Sequence, residues 1–365
     1  MTGKFDIQPI GTWLPSENRP LVIGGPCSAE TEEQVLETAK LLADIPEVKA
    51  FRSGVWKPRT RPDSFEGVGE KGLRWLQRVK NETRLLTTVE VATPQHVELA
   101  LKYDIDILWV GARTVSNPFS VQEVAAAMQG IPNPVMVKNP VSPDLNLWIG
   151  ALERVHKAGV RKMAAIHRGF YFFAKSPYRN APMWEVPIEL MRRFPDLPVF
   201  TDPSHICGNR HMLADIAQKA MDLEMSGLMI ESHIHPAKAL SDARQQITPH
   251  TLRKLLDALK IRKETGEEAF ESKLEILRSE IDKIDAELLE ILARRLDIVA
   301  EIGKYKKENN ITILQIKRWR NIIKERLADG TGRGMDPTFL RSLLELVHNE
   351  SIRIQNEIMN REENF

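Results

Sequence analysis

LVIGGPCSAETEEQVLETAKLLADIPEVKAFRSGV, residues Leu21–Val55, sets the pattern of the chain. A β-branched run with a polar end (Leu21–Ser28) leads into an amphipathic helical stretch, and a second run follows at Ala50–Val55. The phrase returns six more times, with runs at Leu85–Val91, Ile107–Arg113, Pro134–Pro140, Met163–Gly169, Pro198–His205 and Gly227–Ile234. Eight strands alternating with helices predict an α/β fold, a (β/α)8 TIM barrel, whose active site lies at the C-terminal ends of its strands. At those ends stand Cys27, Arg52, Glu90, Arg113, Lys138, Arg168, His205 and Glu231. A packed barrel has no structural use for so many charges on one rim. Chemistry is expected there.

A length of 365 residues exceeds one ordinary core and predicts two domains. The net charge of +1 argues against a general nucleic-acid binder, because no basic surplus is left to neutralise phosphates. Two cysteines, Cys27 and Cys207, make no disulfide framework and fit a reducing compartment. The first residues contain no apolar signal segment, and no apolar run approaches the roughly 18 residues of a membrane span. A cytoplasmic protein without membrane or nucleic-acid partners is expected.

The β-strand pattern stops near residue 259, so residues 1–259 read as the barrel domain. Residues 260–271 (KIRKETGEEAFE) read as a charged linker, and residues 272–365 as an all-helical domain. Its first helix is expected over about Ser272–Lys307, with shorter ones at about Ile316–Ala328 and Pro337–Met359 around the breaker run Asp329–Pro337. Leu274, Leu277, Ile281, Ile284, Leu288, Ile291, Ile298, Ile302 and Tyr305 step by three and four, a heptad seam. Counting sevens from Ile281 and Leu288 lands on Arg295. A guanidinium buried in such a seam needs an anion, and no acidic residue stands three or four positions away. A helix of roughly 50 Å also outruns its own small domain, whose radius of gyration would be near ~13 Å. A partner helix from a second chain is therefore expected.

The strand ends carry GPCS (Gly25–Ser28), KPRT (Lys57–Thr60), GAR (Gly111–Arg113), DPSH (Asp202–His205) and, just beyond, LSD (Leu240–Asp242). In that order they resemble the type I 3-deoxy-D-arabino-heptulosonate-7-phosphate (DAHP) synthase family, β branch, over about Leu21–Leu259. The resemblance implies condensation of phosphoenolpyruvate with D-erythrose 4-phosphate to DAHP and phosphate, the first step of aromatic (shikimate) biosynthesis. Two phosphates and a carboxylate call for Arg52, Lys57, Arg59, Arg113, Lys138 and Arg168, with Arg favoured where a planar fork grips phosphate. By resemblance, Arg113, Lys138 and Arg168 hold phosphoenolpyruvate, with Lys57 near its reacting end. Lys57, Pro58, Arg59 and Thr60 take the aldose phosphate, and Glu90 orients water. Cys27, His205, Glu231 and Asp242 make a mixed soft and hard ligand set for one divalent ion per barrel, Mn2+, Fe2+ or Zn2+. From residue type alone His233 and His235 are rivals, which the family pattern disfavours. Synthases of an eight-carbon sugar acid phosphate share the barrel but carry an Asn-containing motif where this chain has KPRT. The chain departs from its family at His167, usually Glu, and at Asn139–Pro140, usually Arg-Gly.

LRSEID (Leu277–Asp282), LLEILARR (Leu288–Arg295), IGKYK (Ile302–Lys306) and the pair Ser351 and Gln355 resemble the all-helical chorismate mutase family, AroQ class. Chorismate is a dianion, and its rearrangement to prephenate needs no covalent catalyst. It needs a held conformer and donors at the ether oxygen, where negative charge grows. The resemblance gives Arg278 and Arg295 to the carboxylates and Lys306 and Gln355 to the ether oxygen, with Arg318 and Ser351 as further contacts. Arg278 precedes Arg295 by roughly 25 Å of helix, so it serves another protomer's site, which implies a homodimer. Trp319 and Gln315 stand where acidic residues are common. The expectation is a bifunctional enzyme whose tail also mediates feedback inhibition by prephenate. The alternative is a non-catalytic or weakly catalytic sensor and dimerisation module. The substrates expected as partners are phosphoenolpyruvate, erythrose 4-phosphate and chorismate.

Overall fold

The computed structural model describes residues 5–14, 20–57, 65–173, 176–262 and 268–360. The chain divides into two compact units, Met1–Arg262 and Lys263–Phe365.

In the first unit eight parallel strands close into a barrel in sequence order. They are β1 (Leu21–Gly25), β2 (Val48–Arg52), β3 (Leu86–Val91), β4 (Ile107–Val110), β5 (Val135–Lys138), β6 (Met163–His167), β7 (Val199–Thr201) and β8 (Gly227–Glu231). Register runs from Leu21 opposite Gly227 to Gly25 opposite Glu231 where β1 meets β8. The strands are almost continuously apolar because each has two buried faces, one on the barrel axis and one under the helices. Ile23, Ala50, Ile107, Trp109, Met136, Ala164, Ile166, Phe200 and Met229 fill the interior, closed below by Trp13 and Leu14. Their neighbours Val22, Phe51, Leu108, Val110, Val135, Val137, Ala165, Val199, Leu228 and Ile230 pack outward. The period of two then positions the site. Two residues past Ala50, Met136, Ile166, Phe200 and Met229 come Arg52, Lys138, Arg168, Asp202 and Glu231.

All eight sequence-predicted runs contain a strand, and seven of the strands end earlier than their runs, β3 alone reaching the expected Val91. The largest difference is in the Pro198–His205 run, where only Val199–Thr201 is extended and Pro203–Cys207 winds into a short helix. Asp202 caps that helix, its carboxylate accepting the His205 N–H at 3.0 Å, and Pro203 occupies the first helical position. Thr31, Thr93, Asn117, Asp144 and Thr248 cap other barrel helices through their side chains, which fixes where each strand-to-helix loop ends.

His167 and Asn139 occupy outward positions of the alternation. Asn139 Oδ1 accepts the Arg168 N–H at 2.7 Å and its amide donates to the Gly169 carbonyl at 2.8 Å, so it fixes the backbone that carries Arg168. His167 packs against Phe170 and Trp184, with Nε2 2.6 Å from the Pro182 carbonyl. Burial pushes its imidazole down to about 4 from 6.5, against the pull of that carbonyl. Between those values the unfolded chain binds a proton that the folded one does not. This group's stabilisation is therefore complete above pH 6.5 and falls as the pH drops toward 4, by about 3 kcal/mol. Thermal melts across that window should show the loss for the wild-type chain, and a flatter profile for His167→Phe. Identical slopes would exclude His167 as the titrating group.

The second unit is three helices, Glu268–Glu308, Ile316–Gly332 and Pro337–Asn360. The first starts four residues ahead of the expected Ser272. The second runs four residues past Ala328, into a stretch read as a breaker. Gly330 explains this: a Cβ there would lie 2.2 Å from Leu340 Cδ2, so the glycine serves close helix packing. The long helix buries Val299 and sets Gly303 against Gln355 and Ile358 of the last helix. Leu277, Ile281, Ile284, Leu288, Ile291, Ile298, Ile302 and Tyr305 of the heptad seam are exposed in the single chain. Arg295 is exposed with them in the single chain. Among the described residues no helix is long and apolar enough to cross a membrane.

Candidate active sites

Three ligand-type side chains converge at the C-terminal mouth of the barrel. One donor atom each from Cys27, Glu231 and Asp242 lies within 4.8 Å of the others. Cys27 is held by its backbone N–H, which donates to Gln246 Oε1 at 2.9 Å. Its Sγ accepts from Lys57 Nζ at 2.9 Å and lies 3.5 Å from Asp242 Oδ2. Glu231 is fully buried, and its Oε1 accepts no hydrogen bond among the described residues. Arg52 Nη2 is 3.3 Å from that oxygen and His205 Nε2 3.7 Å. His205, the fourth expected ligand, is not in this three-residue group and stands beside it, next to Glu231. Its Nδ1 stands 2.7 Å from Asp202 Oδ2, which selects the proton position that leaves Nε2 free. Burial, outweighing the pull of Asp202, holds the imidazole below its ordinary value.

The set fits a divalent ion on chemical grounds. Burial and the Glu231 charge push the Cys27 thiol up to about 12, so without added positive charge it keeps its proton. Burial works upward on Asp242 too, but His205, Arg179 and Lys57 hold it at about 2. A fixed anion, an imidazole, a thiol and a carboxylate oxygen that accepts no hydrogen bond meet in one buried space, a donor set that a divalent ion would complete. One sulfur, one nitrogen and two carboxylates suit a first-row transition ion. Among the described residues, His233 is turned elsewhere, with Nε2 3.7 Å from Glu30 Oε2, and His235 is absent from the converging group.

Beside these ligands is an anion cradle. Lys138 Nζ pairs with buried Asp202 at 3.0 Å. Arg52 and Lys138 lie over the Trp109 ring at 5.1 and 5.9 Å, and the Trp109 indole N–H donates to Glu90 Oε2 at 2.9 Å. Burial pushes Arg168 down to about 10; Arg179 and Arg113 add repulsion, while Asp202 and Glu90 oppose it. Arg52, Lys138 and Arg168 bring cationic donors suited to a polyanion to the same end of the barrel. Pro58, Arg59 and Thr60 lie outside the described residues. The residue-by-residue reading passed over Asp202, Trp109, Arg179 and Gln245. Asp202 could have been found by counting two onward from Phe200; Arg179 and Gln245 come from loops, where no periodicity points to them.

On the helical unit, Arg295 Nη1 donates to Ser351 Oγ at 2.8 Å, and the serine donates in turn to the Val347 carbonyl at 2.7 Å. A cavity of about 700 Å3 opens here, lined by Arg295, Arg318, Trp319, Glu325 and Arg326 among others. Lys306 Nζ donates to the Ile313 carbonyl at 2.6 Å; partial burial and the nearby Arg318 lower its pKa. Buried Gln355 leaves its Oε1 without a hydrogen bond among the described residues. Arg295 and Arg318 line the cavity, Ser351 is bonded to Arg295 and Lys306 lies near Arg318, whereas Lys306 and Gln355 are not among the residues lining it. Arg278 does not join them: it is exposed and 3.7 Å from Glu275 on its own helix. Trp319 stacks on His348, centroids 3.6 Å apart and planes 10° apart. Gln315 precedes the second helix without a side-chain cap.

Comparison with known proteins gives matching assignments. The DAHP synthetase I family matches residues 11–268, and the chorismate mutase type II family residues 277–356. A Thermotoga maritima phospho-2-dehydro-3-deoxyheptonate aldolase is 31% identical over 239 residues, 66% of this chain and 68% of that protein. A Legionella pneumophila 2-dehydro-3-deoxyphosphooctonate aldolase is 29% identical over 271 residues, 67% of this chain and 92% of the other. The crystal structure of the Thermotoga maritima DAHP synthase superposes with a TM-score of 0.59 at 27% identity, covering 69% of this chain and 75% of that one. The chain is an enzyme that combines transferase and isomerase modules: it belongs to the DAHP synthetase I family and carries a type II chorismate mutase domain behind its barrel.

Proposed function

We propose that the barrel condenses phosphoenolpyruvate with D-erythrose 4-phosphate to DAHP and phosphate, and that the helical unit rearranges chorismate to prephenate. The observation that carries this is the meeting of Cys27, Glu231 and Asp242 with the cationic cradle of Lys138, Arg168 and their neighbours at one barrel mouth. A divalent ion held by Cys27, His205, Glu231 and Asp242 supplies Lewis-acid polarisation of an aldehyde oxygen when bound. Arg113, Lys138 and Arg168 bind the phosphate and carboxylate of phosphoenolpyruvate, and Lys57, beside the Cys27 sulfur, faces the reacting ends. The methylene carbon of phosphoenolpyruvate bonds to the aldehyde carbon, water adds to the former enol carbon, and its phosphate leaves. Glu90, anchored by Trp109, orients that water. Lys57–Thr60, which is KPRT rather than an Asn-containing motif, favours the four-carbon aldose over the five-carbon one used by eight-carbon synthases.

In the helical unit, Arg295 and Arg318 bind the chorismate carboxylates and Ser351 adds a polar contact. Lys306 and Gln355 act at the ether oxygen. The exposed seam of the long helix and the distance of Arg278 from the cavity support a homodimer in which Arg278 completes the partner's site. Reducing-compartment cysteine usage supports cytoplasmic residence. Mn2+, Fe2+ and Zn2+ all suit the ligand set, and prephenate is the expected feedback inhibitor.

The test is product formation by the purified full chain with each substrate set. Consumption of phosphoenolpyruvate should require erythrose 4-phosphate, fail with arabinose 5-phosphate, stop with excess chelator and return with Mn2+. Chorismate absorbance should fall, and added prephenate should slow the condensation. Binding of chorismate without turnover would support the sensor reading instead, which Trp319 and Gln315 in place of acids favour. Full condensation in excess chelator would overturn the metal assignment.

A further inference from the structure

The loop before helix Glu185–Arg193 sends a side chain toward the proposed ligands. Arg179 Nη1 donates to Gln245 Oε1 at 2.8 Å and lies 3.0 Å from Asp242 Oδ1. Gln245, itself buried, donates through Nε2 to Glu231 Oε2 at 2.7 Å. Each carboxylate therefore has one oxygen tied to this pair and the other turned to the cluster. Asp242 Oδ2 faces the Cys27 sulfur at 3.5 Å, while Glu231 Oε1 is the buried oxygen without a hydrogen bond.

The Arg179 side chain is braced in this place. Its stem lies against Gly208, the left-handed residue ending the helix that carries His205; a Cβ on Gly208 would fall 2.5 Å from Arg179 Cβ. The next residue, Asn180, donates through its side chain to the His205 carbonyl at 2.6 Å and through its backbone to the Ile206 carbonyl at 3.1 Å. One dipeptide thus touches the supports of His205, Glu231 and Asp242.

We propose that Arg179 is a positioning residue that, with Gln245 as relay, restricts Glu231 and Asp242 to one ligating oxygen each and so sets the coordination number of the bound cation. Free carboxylates can chelate with both oxygens and then suit larger, oxygen-seeking ions, whereas one-oxygen ligands suit small ions with low coordination numbers. Outer partners of this kind change metal affinity by roughly 10–100-fold when removed. The proposal rests on the metal reading of the barrel.

The experiment is a Co2+ titration of the metal-stripped full chain followed by visible and near-ultraviolet absorption. Arg179→Ala and Gln245→Met should each weaken Co2+ binding roughly 10–100-fold and lower the d–d intensity as coordination expands. The thiolate charge-transfer band from Cys27 should persist in both. Gln245→Met conserves volume, so it gives the readout even if Arg179→Ala folds poorly. Wild-type affinity and d–d intensity in Gln245→Met, or in folded Arg179→Ala, overturn the proposal while leaving the metal centre standing. A wild-type chain with no thiolate band on Co2+ addition overturns the metal reading itself and this proposal with it.

Discussion

Cys27→Ala should reduce the condensation to below about one thousandth of its wild-type rate while leaving chorismate turnover within about twofold. The thiolate is the softest donor of the set, and no neighbouring side chain can replace it: Lys57, 2.9 Å away, is a cation. The substitution itself is mild, since alanine fills most of the buried space and costs on the order of 1 kcal/mol. Stability therefore supplies a second reading. At an ion concentration about 100 times the dissociation constant, binding stabilises the folded chain by about 2.7 kcal/mol. The wild-type melting temperature should rise on Mn2+ addition, and that of Cys27→Ala should not. Cys27→Ser, with a harder and neutral donor, should fall between them. A Cys27→Ala protein that keeps the Mn2+ response and condenses at the normal rate would remove the cysteine from the centre.

Arg295→Ala should lower chorismate turnover by roughly 10^3-fold, a loss that matches removal of a charged donor from a dianion site. Its guanidinium is preset by the 2.8 Å bond to Ser351, whose hydroxyl is anchored on the Val347 carbonyl, and it shares the cavity with Arg318. Arg295→Lys should recover only part of the rate, because an ammonium cannot present the planar fork. Condensation without prephenate should be unchanged, whereas its inhibition by prephenate should weaken sharply. Chorismate turnover within threefold of wild type in Arg295→Ala would leave the cavity without a catalytic assignment.

The barrel was legible because its strands carry a period of two and its helices a period near 3.6, and both survive in a single sequence. That periodicity also reaches the rim: Arg52, Lys138, Arg168 and Glu231 follow interior residues by two. Tertiary context changed the reading at two places. His205 lies on a helix because Asp202 and Pro203 start one. Residues 329–332 remain helical because Gly330 admits Leu340.

What the sequence by itself determined is the alternation, and with it the eight-stranded barrel, the helical tail and the chemical types gathered at the strand ends. Local periodicity depends on neighbours three or four residues away and needs no knowledge of the rest. Only the tertiary structure decided which oxygen of Glu231 and of Asp242 is held and which is left over. The holders Gln245 and Arg179 reach them from 14 and 63 residues away, and such closures obey packing geometry rather than any repeat along the chain.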